Sequence, residues 1–207
     1  MHLSTLGLST LLVVSSALPA AAQTAATAAT HRYLVERTFP AGALPGLDAA
    51  GKQKVNANNS EFGVTWIRSY ANADQTRTYC IYEGPSEKAV RAAAAKNALP
   101  VDVVLEIPLD LDPGPLPVLP EPAHRYMVER TFPAGALDGL DAAGKATVNA
   151  NNAALGVEWV GSYANADKTK TFCVYEGPSE QAIRDAAAKN AIPVDRITEV
   201  PVDLAPR

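Results

Sequence analysis

The chain has 207 residues, 47% of them hydrophobic, with Lys+Arg 18 against Asp+Glu 22 for a formal net charge of −4. The mildly acidic balance argues against nucleic-acid binding, which rests on a basic patch. Two cysteines and three histidines exclude zinc fingers, cysteine-built clusters and dense disulfide frameworks. There is no P-loop, GxSxG elbow, HExxH helix or Rossmann glycine fingerprint, and no catalytic residue stands out.

Residues 1–22 read as a secretory signal. The stretch Leu3 to Leu18 is apolar or small and uncharged, and it ends in Leu18-Pro19-Ala20-Ala21-Ala22, an A-x-A-like cleavage site before Gln23. Serines and threonines dilute the apolar run, which argues against a retained membrane anchor. The mature protein is therefore expected in the periplasm or outside the cell, with no membrane attachment. Residues 23–30 are a small-residue leader of disordered composition.

The remainder is one domain written twice. His31–Pro40 returns as His124–Pro133 at an offset of 93, and sliding residues 31–114 over 124–207 without a gap gives 59 identities in 84 positions. Two units are too few for a solenoid, so this is a tandem duplication. Where the copies differ, they tolerate change or have specialised: Arg68 aligns with Gly161, and Val103-Val104-Leu105 with Arg196-Ile197-Thr198. Between the domains at 31–109 and 124–204, the segment 110–123 carries five prolines. It reads as a stiff, extended spacer of roughly 40 Å at about 3.1 Å per residue.

Each copy resolves into the same elements. In the first, Arg32–Phe39 alternates and is rich in β-branched and aromatic residues, which predicts a strand. Residues 46–62 predict a helix weakened by Gly51, Asn56, Asn58 and Asn59 and ended by Gly63. Val64–Tyr70 and Arg77–Glu83 predict strands around a hairpin loop. Ser86 opens a second helix running to Asn97, stopped by Leu99-Pro100, and Val103–Leu109 predicts the last strand. The order β-α-β-β-α-β is the α+β, ferredoxin-like unit, a four-stranded antiparallel sheet with two helices on one face. On the first strand neither face is fully polar, because Tyr33 and Val35 share one while Leu34, Glu36 and Thr38 share the other. Burying the two open faces against each other would make the chain a fused pseudo-dimer of the dimeric α/β-barrel kind. The alternative is two separate beads, each pairing with another chain as a homo-oligomer.

Both copies carry VERTFP (35–40, 128–133), GV-x-W (63–66, 156–159) and SY (69–70, 162–163). They also share T-[YF]-C-[IV]-YEGPS (78–86, 171–179) and N-A-[LI]-PVD (97–102, 190–195), followed in the second copy by RITEV (196–200). In these motifs each copy resembles a small bacterial family of unknown function whose characterised member is a nickel-binding, nickel-responsive ferredoxin-like dimer. The resemblance implies the same fold and a divalent metal, possible nickel ligation included, as partner. Members commonly place a histidine just before the SY pair, where this chain has Arg68 and Gly161.

The candidate site residues follow from donor chemistry. His31 and His124 open the first strand of each copy, and imidazole suits Ni²⁺ or Cu²⁺ near neutral pH. Glu36 and Glu129 sit mid-strand, where a buried carboxylate needs a cation or a metal. In a pseudo-dimer they would approach each other and raise one pKa; the plainer reading is an ion pair with Arg37, Arg130 or another arginine. Cys80 and Cys173 lie in central strands as buried free thiols, or as a disulfide if both reach the pseudo-twofold axis. Trp66, Trp159, Tyr70, Tyr163, Tyr82 and Tyr175 read as core, Ser86 and Ser179 as helix caps, and Asp74 and Asp167 as turn residues.

The expectation is an exported, non-enzymatic protein binding nickel or another divalent transition metal through His31, His124, Glu36 and Glu129. The alternatives are an enzyme of the dimeric α/β-barrel kind, with a glutamate pointing into an apolar cavity between sheet and helices, or a pure interaction module.

Overall fold

The structure is a computed structural model that describes residues 29–44, 47–114 and 123–206. The expected signal at 1–22, most of the leader and the spacer residues 115–122 lie outside the described residues. The element order is β1 His31–Thr38, α1 Ala49–Ser60, β2 Thr65–Ala71, β3 Arg77–Gly84, α2 Glu87–Lys96, β4 Val103–Glu106 and β5 Leu109–Leu111 in the first copy. The second copy repeats it as β6 His124–Thr131, α3 Ala142–Ala153, β7 Glu158–Ala164, β8 Lys170–Gly177, α4 Glu180–Lys189, β9 Arg196–Glu199 and β10 Val202–Leu204.

The helices form for local reasons. Asp48 caps α1 by accepting from the Gly51 amide at 2.8 Å, and Ser86 caps α2 by accepting from Ala89 at 3.2 Å. Helix α2 buries Val90, Ala93 and Ala94, the i, i+3, i+4 stripe of an amphipathic helix. Helix α1 has no such stripe, and its asparagines explain how it docks. Asn58 donates to Asn97 Oδ1 at 2.8 Å, and Asn97 Nδ2 donates in turn to Asn59 Oδ1 at 2.9 Å. The residues that weaken the helix intrinsically are the ones that tie it to the end of α2.

The sheets contain one strand more than the sequence predicts. Each has five antiparallel strands, in the orders β10-β2-β3-β1-β4 and β5-β7-β8-β6-β9. The expected single strand over 103–109 breaks at Ile107-Pro108. Proline has no N–H to donate to a ladder, so the chain leaves β1 there and β5 pairs with β7 of the other copy, Leu109 opposite Ala164 and Leu111 opposite Ser162. Asp110 and Leu111, read from sequence as spacer, are therefore an edge strand. The second copy returns the exchange, with β10 pairing β2 (Val202 opposite Ala71). Each tail is pinned beyond its strand: Asn149 donates to the Pro113 carbonyl at 2.9 Å and Asn56 to the Pro206 carbonyl at 3.1 Å.

The two sheets pack face to face as a fused pseudo-dimer. Their shared core joins Leu34, Tyr70, Tyr79, Ile81 and Ile107 of one copy to Met127, Phe172, Val174 and Val200 of the other. Two further cores lie between each sheet and its own helices, around Trp66 and Val90 and around Trp159 and Ile183. Burial of apolar area in all three drives the fold at about 25 cal/mol per Å².

Candidate functional site

Strand parity sorts the candidate residues onto two faces. On β1, Leu34 and Glu36 face the inter-sheet core, while His31, Tyr33, Val35 and Arg37 face the helices. The same holds for β6.

At the inter-sheet seam, Glu36 and Glu129 come together, buried to 6% and 5% exposure. Arg77 Nη1 lies 3.0 Å from Glu36, and Lys170 Nζ lies 3.9 Å from Glu129. Arg196 Nη1 reaches both, at 3.2 Å from Glu129 and 3.7 Å from Glu36. Tyr79 of the first copy donates its hydroxyl to Glu129 Oε1 at 2.8 Å and meets Thr198 Oγ1 at 2.9 Å. Burial, helped by the nearby Glu129 charge, holds the Glu36 carboxyl above the usual carboxylate range despite Arg77 and Arg196. Burial likewise pushes the Tyr79 hydroxyl up, so it remains a donor. The partners are thus two arginines and a lysine from neighbouring strands; Arg37 and Arg130, next in sequence to the glutamates, point to the opposite face. Positions at which the copies differ converge here: Tyr79 (Phe172 in the other copy), Arg196 (Val103) and Lys170 (Arg77) each reach Glu129, and Thr198 (Leu105) meets Tyr79. Of the divergent segment, Arg196 and Thr198 face this seam while Ile197 packs in the helix-side core.

The histidines lie elsewhere. His31 and Glu36 are five residues apart on one strand, roughly 17 Å at about 3.4 Å per residue and on opposite faces. Instead, His31 Nδ1 meets Glu106 Oε1 at 2.7 Å, and His124 Nδ1 meets Glu199 Oε1 at 2.8 Å. In the β1–β4 register Glu106 stands opposite Tyr33, so it is the diagonal, same-face neighbour of His31. These pairs, about half exposed, were not apparent from sequence spacing, although the shared parity of His31 and Tyr33 was legible. Among the described residues no group of three or more His, Cys, Asp or Glu is arranged to hold a metal ion. What each copy offers is one exposed imidazole whose Nδ1 is engaged by a carboxylate, leaving Nε2 as the donor. That is the arrangement by which metal-bound histidines are usually oriented.

On the helix side the copies differ in their free space. A cavity of about 500 Å³ lies in the second copy, lined by Leu111 from the exchanged strand together with Arg130, Phe132, Leu140, Trp159 and Tyr175 among others. The corresponding space in the first copy is about 50 Å³. Neither glutamate points into these spaces, since both face the seam. Cys80 and Cys173 are free and buried in separate helix-side cores, so they do not bridge. Tyr70 and Tyr163 meet across the copies, hydroxyl to hydroxyl at 3.3 Å. Ser86 and Ser179 cap helices, and Asp74 and Asp167 close hairpin turns on Thr76 and Thr169.

A family model described as "Nickel responsive protein SCO4226-like" matches residues 33–107 and again 126–200. No curated protein matches the chain. Among solved structures, SCO4226 from Streptomyces coelicolor A3(2) is 20% identical, with 38% of this chain and 96% of that chain covered and a TM-score of 0.33. A mutant chlorite dismutase from Candidatus Nitrospira defluvii is 8% identical, with 83% and 90% covered and a TM-score of 0.42.

Proposed function

The chain belongs to the SCO4226-like family of nickel-responsive proteins, and from that membership we propose that it is an exported, non-enzymatic protein that binds Ni²⁺ or a related divalent transition-metal ion. The observation that carries the reading is the pair of exposed histidines, His31 and His124, each held through Nδ1 by a glutamate at 2.7–2.8 Å. Imidazole is a favourable donor for Ni²⁺, and a carboxylate on its other nitrogen fixes the ring's orientation. Glu106 and Glu199 are the positioning residues in this reading. Glu36 and Glu129, engaged by Arg77, Arg196 and Lys170, hold the two copies together instead of taking metal. Export rests on the apolar stretch Leu3–Leu18 and the small-residue site before Gln23.

Calorimetric titration of residues 23–207 with Ni²⁺ tests the metal reading. Saturable binding is expected, weakening on acidification because the ligand nitrogen must be deprotonated. It should be lost in His31→Ala/His124→Ala and weakened about tenfold or more in Glu106→Gln/Glu199→Gln. Binding that persists in the double-histidine variant, or flat heats for the unmodified protein, overturns it.

A further inference from the structure

The helix side of the second copy holds chemistry that neither the seam nor the histidines use. Arg130 is 2% exposed and, among the described residues, has no carboxylate within ion-pair distance. Its Nη1 donates to the Pro193 carbonyl, its guanidinium sits 5.4 Å from the centre of the Tyr175 ring, and its Nε has no hydrogen-bond partner. A buried, unpaired cation with an orphaned donor is costly. Here it borders the cavity of about 500 Å³, a size typical of small-molecule sites, whose remaining wall is mostly apolar. Ser162 adds to the polar end: its Oγ accepts from Trp159 Nε1 at 2.8 Å, which leaves its own hydroxyl hydrogen free to donate into the cavity that it lines.

The geometry points to a binding site for a small carboxylate with an apolar tail, the carboxylate on Arg130 and the tail among Leu111, Phe132, Leu140 and Trp159. A carboxylate there replaces the missing counter-charge with a charge-assisted hydrogen bond. The site is shared between the copies, because Leu111 arrives on a strand from the first copy.

The first copy supplies an internal control. Arg37 is equally buried and its Nε equally orphaned, yet the space beside it is only about 50 Å³, room for water and little else. The two cavities share equivalent wall residues, Arg130 and Arg37, Trp159 and Trp66, Tyr175 and Tyr82 among them. In the second copy Asp138, in the segment after the first strand, is bridged to Lys168 of the β7–β8 hairpin at 3.0 Å. The first copy has Pro45 and Gln75 at the equivalent positions and cannot form this tie.

The carboxylate site does not depend on the nickel reading and is tested in metal-free buffer. Residues 23–207 are titrated calorimetrically with octanoate and with octan-1-ol, which has the same tail and no charge. Octanoate is expected to bind at one site at least tenfold more tightly than the alcohol. Arg130→Gln should remove that preference, a loss of roughly tenfold, while Arg37→Gln leaves octanoate binding unchanged. Ala136→Trp, placed at the exposed cavity wall without touching the arginine, should abolish binding of both and decides the matter if Arg130→Gln does not fold. Equal affinity for acid and alcohol, an equal loss in Arg37→Gln, octanoate binding that survives Ala136→Trp, or no saturable octanoate binding overturns the proposal.

Discussion

Glu36 and Glu129 are equivalent residues of the two copies, and they share a single guanidinium, Arg196, which stands 3.2 Å from Glu129 and 3.7 Å from Glu36. The seam between the sheets is therefore symmetric in its acids and asymmetric in its bases. Arg77 and Lys170 each serve their own copy, whereas Arg196 alone serves both.

Replacing Arg196 by valine, its counterpart in the first copy, leaves the two carboxylates with Arg77 and Lys170 only. Since Arg196 is about half exposed, the loss is expected to be modest, about 1 kcal/mol at neutral pH. It should shrink in acid as the Glu36 carboxyl, held above the ordinary range, takes up its proton and no longer needs the cation. Urea denaturation of Arg196→Val and the unmodified protein at pH 7 and pH 4.5 measures this; an effect of equal size at both pH values would remove Arg196 from the carboxylate seam.

Glu36 itself gives a pH dependence of defined sign. Burial, and then the Glu129 charge, raise its carboxyl above the ordinary value, so the folded state holds this proton more tightly than the unfolded state. Its contribution to stability is present below the ordinary carboxylate range and is lost as pH rises through the raised value. Glu36→Gln removes that falling component. The denaturation midpoint of the variant minus that of wild type should rise from pH 4 to pH 7; a difference that falls over this range contradicts the assignment.

Deleting residues 202–206 removes β10, the Asn56 tie and the Asp203 partner of Arg68. The cost should be about 2 kcal/mol, from lost ladder bonds and apolar contact. More telling is where it falls. Hydrogen exchange should accelerate along β2 of the first copy and leave β7 protected, because β5 still covers β7. Faster exchange in β7 instead would mean that the tail belongs to its own copy's sheet.

The covalent link between the copies is not what holds them. Co-expressed as separate polypeptides, residues 31–114 and 123–207 are expected to assemble one to one through the shared core and the exchanged strands, and to co-elute in gel filtration. Recovery of two independent monomers would refute this.

Much of the architecture was legible because it is local. Alternation on β1, the Ala-rich stripe of α2 and the capping residue Ser86 each act within a few residues. The exchanged strands were not, because nothing in Leu109-Asp110-Leu111 says which sheet it will join. Pro108 shows only that β4 must end. At the seam, two buried glutamates near each other followed from alternation plus duplication, while their partners did not: Arg77 and Arg196 are brought in by strand pairing, which sequence distance conceals. The placement of His31 away from Glu36 was written in the odd spacing between them, and the cavity beside Arg130 was hidden because its walls come from strands, a helix and loops far apart in sequence.

The reciprocal exchange of β5 and β10 has a consequence for how this molecule can change. In a dimer of identical chains, every substitution at the twofold axis is made twice and must face its own image; a second arginine opposite Arg196 would put two guanidiniums over one pair of acids. Joining the copies in one polypeptide lifts that constraint, so a single-sided arginine, a single tyrosine at Tyr79 and one enlarged cavity can each arise without a mirror copy. The duplicated chain keeps the interlocked scaffold of a symmetric pair while its two halves are free to divide labour.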